Sequence, residues 1–183
     1  MRIILAGLLG AFAMYVWSTV AHVATPLGTA GISTLPDEQV IVNAVAASMG
    51  EQHGFYLFPD MRPGSQGAGN PVKEGPFGLL VYRPHVSYAL NPANLIIEFA
   101  TELAETMIAA LLLSWIALTG YAARVGFVTL IGVAGAITTN VPYWNWYGFP
   151  TSYSLVYAFV EIVGYLAAGL VIAWILPKSS ASP

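Results

Sequence analysis

The fold class that this sequence predicts is an all-α membrane protein, a four-helix transmembrane bundle with a small α+β extracytoplasmic domain between its first two spans. Three observations predict it. Of 183 residues, 57% are hydrophobic and only 8% charged, against about 25% charged in an ordinary soluble domain, so the chain cannot cover itself with a solvated surface. The mean hydropathy is +0.69. The apolar residues gather into four stretches that meet or approach spanning length, since a helix rising about 1.5 Å per residue needs roughly 20 of them to cross about 30 Å of hydrocarbon.

The same composition excludes several function classes. It is not that of a disordered chain. Six Lys and Arg against nine Asp and Glu leave no basic field for nucleic acid. With no cysteine in the chain, disulfides, a thiol nucleophile and Cys-ligated metals are excluded as well.

The first span occupies residues 1–23, with its apolar run from Ile3 to Val23. Arg2 before it and Thr19-Val20-Ala21 near its end also fit a signal peptide, but the run exceeds the 7 to 15 residues of a typical signal core and contains Trp17 and Ser18. An uncleaved span is therefore expected. Residues 24–92 form the only segment large enough to fold in water. There, Thr34 is expected to cap a helix whose first turn holds Pro36, Asp37 and Glu38. Val40, Ile41, Ala44, Val45 and Met49 follow at helical spacing until Gly50 stops it. Gly54–Phe58 and Phe77–Tyr82 read as two strands of a hairpin, each ended by a proline, Pro59 or Pro84. Between them, Asp60 to Pro76 reads as a glycine- and proline-rich loop.

The second span covers 93–118, the third 122–139 after a Thr119-Gly120-Tyr121 turn, and the fourth 153–176, leaving a tail of 177–183. Between the third and fourth, residues 140–152 read as an outer loop with Tyr143, Trp144, Trp146 and Tyr147 between Pro142 and Pro150. Such aromatic residues favour the headgroup region, so an interfacial belt is the expectation there. Arg2, Arg124 and Lys178 all fall on one side of the bundle. The positive-inside rule makes that side cytoplasmic, with both termini inside and the long loop outside. Arg62, Lys73 and Arg83 lie in that long loop and weigh less. The pairs Gly7/Ala11, Gly132/Ala136 and Gly164/Ala168 offer small-residue faces, either for packing within the bundle or for association with a second copy or another membrane partner.

Several strings taken together look familiar: Tyr15-Val16-Trp17-Ser18 with His22, Leu35-Pro36-Asp37-Glu38, Tyr56-Leu57-Phe58-Pro59, Leu80-Val81-Tyr82-Arg83-Pro84, and Tyr143 through Pro150. Their order resembles that of a group of uncharacterised bacterial four-span inner-membrane proteins. The resemblance covers most of the chain and implies that compartment, but it brings no activity. The topology is also similar to that of claudins; the paired cysteines of the claudin loop are absent here, so no barrier role carries over.

The chemistry concentrates in acids placed where they are least favourable. A carboxylate at the bilayer centre costs about 2.5 to 3.5 kcal/mol on insertion scales, yet four of the nine acids lie inside predicted spans. Glu98, Glu102 and Glu105 recur at i, i+4 and i+7, within an arc of roughly 60° on one helix face, and Asn94 extends that stripe one turn earlier. Glu161 in the last span lies at roughly 12 Å depth and Glu102 at roughly 14 Å. If the second and fourth spans are neighbours, Glu102 and Glu161 meet, with His22 and Asn140 nearer the outer surface. Tyr157 and Tyr165 flank Glu161 by one turn on each side as hydroxyl donors.

Three readings follow. The carboxylates line an outward-facing wet vestibule that takes a cation or cationic group; or they are protonated and act as a proton relay or as hydrogen-bonded glue; or the stripe docks on a partner that supplies positive charge. A tight metal site lacks the Glu-x-x-His pairs of di-iron bundles, so no resident cofactor is expected beyond a weakly held cation. His53 and His85, with Glu51 and Asp60 nearby, read as solvated or hydrogen-bonded residues rather than ligands. No G-x-S-x-G, H-E-x-x-H or P-loop occurs, and Gly64, Gly67 and Gly69 make no nucleotide fingerprint. The expectation is a binding or accessory membrane component with a carboxylate pocket formed by Glu98, Glu102, Glu105, Glu161, His22, Asn94, Asn140 and Tyr157. A small cation-coupled or proton-coupled transporter and a membrane enzyme acting on lipid or cell-wall intermediates are the alternatives, with an enzyme the less favoured class.

Overall fold

A computed structural model of the chain describes residues 1–60, 76–86 and 91–177. Arg62, Lys73, Gly64, Gly67, Gly69 and Lys178 lie outside the described residues. In chain order the elements are α1 (Arg2–Val23), a 3-10 turn (Pro26–Thr29), α2 (Glu38–Met49), β1 (Gly54–Phe58), β2 (Gly78–Tyr82), α3 (Pro92–Trp115), α4 (Tyr121–Tyr147) and α5 (Thr151–Ile175). They divide into two compact units, one built on α1, α3, α4 and α5, the other on residues 33–89 together with 146–148.

In the smaller unit, β1 and β2 pair antiparallel with Tyr56 opposite Leu80, which is the expected hairpin. α2 starts later than expected. Its N-cap is Asp37, not Thr34, and Asp37 holds a left-handed φ of 49°; residues 36 and 37 form a turn, so Pro36 precedes the helix instead of opening it. Gly50, at φ 54°, ends the helix in a conformation that glycine adopts without steric penalty. The exposed His85 and Glu51 side chains pair at 2.6 Å. An ion pair so open to water contributes little.

In the larger unit the usual distribution of side chains is inverted. Its interior is made of small residues, with Ala6, Ala11, Ala109, Ala110, Ala136 and Ala168 all fully buried, while Ile4, Phe12, Leu130, Leu155, Phe159 and Trp174 stand exposed on the outer faces. Helices in lipid associate by close packing of small residues, because hydrocarbon tails solvate large apolar side chains as well as a protein core does. Accordingly α1, α4 and α5 are long and apolar enough to cross a membrane. α3, with 24 residues, has the length, about 36 Å, but every 18-residue stretch of it contains Glu98, Glu102 and Glu105. Trp115, Tyr121 and Trp174 are exposed near one end of the bundle, and α4 carries Tyr143, Trp144, Trp146 and Tyr147, all exposed, in its last two turns. Aromatic girdles at both ends are the arrangement a bilayer favours.

α1 is the central element, packed against both α3 and α5, which touch one another far less. Gly7 of α1 faces Met107 of α3, Gly10 faces Ile172 of α5, and Gly164 of α5 faces Met14 of α1. α4 lies on α5, where Gly132 receives the Tyr165 ring and Gly169 receives Val128. The three small-residue pairs read from the sequence are thus buried inside the bundle. Thr106, fully buried, donates to the Gly7 carbonyl at 2.9 Å as well as to its own helix, joining α3 to α1.

The bounds of α3 and α4 differ most from the sequence reading. α3 begins at Pro92, capped by the Asn91 side chain, which accepts from the Ala93 amide at 3.0 Å; it ends at Trp115, before Leu118, where Ile116 turns extended. The larger difference is in α4. It does not stop at Thr139 but runs through Pro142 to Tyr147, so most of the expected loop 140–152 is helix. Pro142 removes one backbone donor from the ladder, a loss that helices in membrane proteins tolerate when neighbouring groups compensate. Gly148 at φ 69° ends the helix, and the Phe149 amide donates to the Tyr143 carbonyl at 3.3 Å.

Candidate functional site

The heptad-like spacing of the α3 acids puts them on one face, and α1, α4 and α5 close around that face. Glu102 is 6% exposed, Glu105 half-buried and Glu98 exposed. α5 contributes Glu161, half-buried against Gly135 of α4, where a Cβ would lie 2.8 Å from Glu161 Oε1. Glycine at 135 therefore makes room for the carboxylate. Asn140 fixes it from α4: its Nδ2 donates to Glu161 Oε2 at 3.3 Å and to the Ala136 carbonyl at 3.0 Å.

The expected meeting of Glu102 with Glu161 does not occur in that form. Because α1 stands between α3 and α5, Glu102 faces Ser18 of α1 across the cavity wall, and the α3 acid that interacts with Glu161 is Glu105, one turn deeper. Tyr165 likewise interacts more strongly with Glu105 than with Glu161. Tyr157 makes no bond to Glu161 among the described residues; its ring stacks on Tyr153 at 4.2 Å and meets His22 edge-on at 5.5 Å. Tyr153 continues to Phe149 and Tyr143 at centroid distances of 5.4 and 5.2 Å. The result is an aromatic ladder from the end of α4 to the carboxylates.

α1 supplies two further walls. The Trp17 indole donates to the Val160 carbonyl at 2.8 Å, fixing α1 to α5 beside Glu161. His22 Nδ1 lies 2.9 Å from the Ser18 carbonyl. The 3-10 turn folds back so tightly that a Cβ on Gly28 would overlap the backbone of His22. Thr25 holds that turn, accepting from the Leu27 amide at 3.2 Å and donating to the Ala21 carbonyl at 2.7 Å.

Together these groups enclose a cavity of about 270 Å³. Glu98, Glu102, Glu105, Glu161, His22, Asn140 and Tyr157 all line it; Asn94 does not. Trp17, Ser18, Thr101, Thr139 and Tyr165 line it too, and among the described residues no Lys or Arg does. Ser18 and His22 were readable as a polar i, i+4 pair at the end of the first span, and Trp17 as the polar-edged ring beside it. Among the described residues Glu102 Oε2 is buried without a hydrogen-bond partner, and leaving such an acceptor bare costs about 1 to 3 kcal/mol. The acids surround the space rather than converge on a point: among the described residues no group of three or more His, Asp or Glu is placed to hold a metal ion.

Asn140 has a second role as a partition. On its other side an apolar groove of about 330 Å³ runs between α4 and α5, lined by Ile137, Val141, Trp144, Leu155 and Ile162. Arg124 lies at the far end of the bundle, where its Nη2 donates to the Leu176 carbonyl at 3.0 Å. Acids and bases of the bundle are therefore at opposite ends. The chain matches no family model, and no curated protein or solved structure matches it.

Proposed function

We propose that this chain is a four-span bacterial inner-membrane protein that binds an organic ammonium group in its carboxylate cavity and serves as a binding or accessory component. The observation that carries the reading is that four acids from two helices line one cavity whose lining, among the described residues, contains no Lys or Arg. A cationic ligand would supply the positive charge that this lining lacks. The unpartnered Oε2 of Glu102 offers that ligand an acceptor at the cavity wall.

For the fourth span, the support is the orientation of α3. Ile96, Ile97, Ile108 and Leu111 are exposed as a lipid-facing surface, while the three acids line the interior cavity. Intramembrane charge is tolerated when it faces the bundle interior or water. Arg2 and Arg124 at the same end make that end cytoplasmic by the positive-inside rule, which sends residues 33–89 to the periplasm and opens the cavity on the outer side.

An ammonium fits better than a metal ion for two reasons. The acids are spread around a volume just below that of ordinary small-molecule pockets, about 300 Å³ and upward. Trp17, Tyr157 and Tyr165 also line it, and aromatic rings attract ammonium groups by cation–π interaction. Binding is favoured over conduction because Ala109, Ala110, Val128, Ala168 and Ile172 pack together in the bundle core, on the side of the cavity away from His22.

The test uses the full chain in maltoside micelles, titrated with choline and with its neutral isostere 3,3-dimethylbutanol. Choline is expected to raise Tm with the logarithm of its concentration above Kd, by about 2.7 kcal/mol at a hundredfold excess over Kd, or about 5 to 10 °C for a chain of this size. The neutral isostere is expected to leave Tm unchanged. Equal responses to the two, or none to choline, would remove the proposal.

A further inference from the structure

A second cavity, of about 510 Å³, lies at the opposite end of the bundle, where the start of α1, the end of α3, the start of α4 and the end of α5 meet. Arg2, Arg124, Ser114, Ile116, Leu118 and Leu176 are among its walls, and among the described residues no acidic one is. Arg124 is 4% exposed. One of its five N–H donors is used on the Leu176 carbonyl at 3.0 Å, and the negative end of α5 there supplies about half a charge. Among the described residues no carboxylate pairs with it; the nearest acid along α5 is Glu161, about 22 Å from Leu176 at helical rise. A buried guanidinium without a full counter-charge is strongly unfavourable, and its planar fork is shaped for a phosphate or carboxylate.

The depth of the cavity decides which anion. Trp115, Tyr121 and Trp174 are exposed near this end of the bundle, the level of lipid headgroups. The Arg2 and Arg124 side stands beside an apolar wall of Ile116, Leu118 and Leu176, matching a phosphate joined to a glycerol and its chains. We infer that this cavity binds the phosphate of an anionic phospholipid. The site is separate from the carboxylate cavity and does not depend on what that cavity holds.

The experiment measures Tm of the full chain in maltoside with added dioleoylphosphatidylglycerol, dioleoylphosphatidylcholine or inorganic phosphate, on the wild type, Arg2→Gln, Arg124→Lys and Arg124→Gln. Phosphatidylglycerol is expected to raise Tm more than phosphatidylcholine, with the difference shrinking as NaCl rises. Arg2→Gln, an exposed position, is expected to raise the apparent Kd for phosphatidylglycerol roughly tenfold, and Arg124→Gln to abolish the preference. Arg124→Lys keeps the charge but loses the fork and is expected to fall between them; with Arg2→Gln it carries the test where Arg124→Gln fails to fold. Equal shifts from the two lipids, or a preference that survives in both Arg2→Gln and Arg124→Lys at wild-type strength, overturn the inference. A phosphate response equal to that of phosphatidylglycerol assigns the cavity to the free anion and overturns the lipid occupant.

Discussion

Gly132→Leu is expected to lower the stability of the bundle by about 3 kcal/mol or more, at the upper end of what overpacking costs. At this position even a Cβ would lie 2.5 Å from Cβ and Cγ of Tyr165. Those atoms sit next to the α5 backbone and cannot rotate away, so α4 and α5 must separate. Helix association in lipid rests on close packing, and separation forfeits it along the contact. Gly126 on the same helix is the control, because a Cβ there meets nothing within 4 Å. Gly126→Leu is expected to be neutral or slightly stabilising, since glycine is a poor helix former by about 1 kcal/mol. Unfolding in denaturing detergent, monitored by circular dichroism, separates the two; equal stability of the two variants would contradict the packing of α4 on α5.

Glu105→Gln combined with Glu161→Gln is expected to weaken choline binding about a hundredfold, with each single change giving about tenfold. A carboxylate about 5 Å from an ammonium attracts it by roughly 3 kcal/mol at an effective dielectric of 20, and the half-exposed setting of these two acids reduces that to about 1.4 kcal/mol each, a factor of ten. The substitutions preserve shape and hydrogen-bonding capacity, so the fold is expected to persist. Isothermal titration in micelles gives the affinities. Wild-type affinity in the double variant would mean that the ammonium group does not sit among these carboxylates.

Much of this architecture was legible in the sequence because it follows from periodicity. The four apolar stretches, the hairpin strands and the stop at Gly50 are set by local chemistry, and the Glu98, Glu102, Glu105 stripe needs only 100° per residue. The matching depth of Glu161 also needs only helical rise. What local chemistry does not encode is the lateral order of helices. α1 intervenes between α3 and α5, and that single fact moves Glu102 onto Ser18, pairs Glu105 with Tyr165 and Glu161, and brings Trp17 into the wall. The small-residue pairs were ambiguous for the same reason: Gly7, Gly132 and Gly164 mark close approach without naming the neighbour.

The end of α4 was misread on different grounds. Pro142 is a strong local breaker, and the aromatic run after it resembles an interfacial loop. A proline, however, removes only one donor, and the helix resumes until Gly148 takes a positive φ that the residues before it resist. Arg124 shows a further gap. As a sequence signal it marked only a side of the membrane, whereas in the fold it is also the residue that caps α5.

The absence of cysteine makes one measurement especially direct. Thr101→Cys and Ser18→Cys place single thiols in the cavity wall, and Val81→Cys on β2 gives an exposed reference. Rates of modification by a cationic trimethylammonium-ethyl methanethiosulfonate and an anionic sulfonatoethyl methanethiosulfonate are compared as a ratio at each site. A wet cavity surrounded by ionised carboxylates predicts a cation-to-anion ratio at positions 101 and 18 about tenfold or more above that at position 81, falling to the reference value in Glu105→Gln/Glu161→Gln. A ratio equal to the reference in the wild type, or no labelling by either reagent, would contradict an acidic, water-accessible site within the bundle.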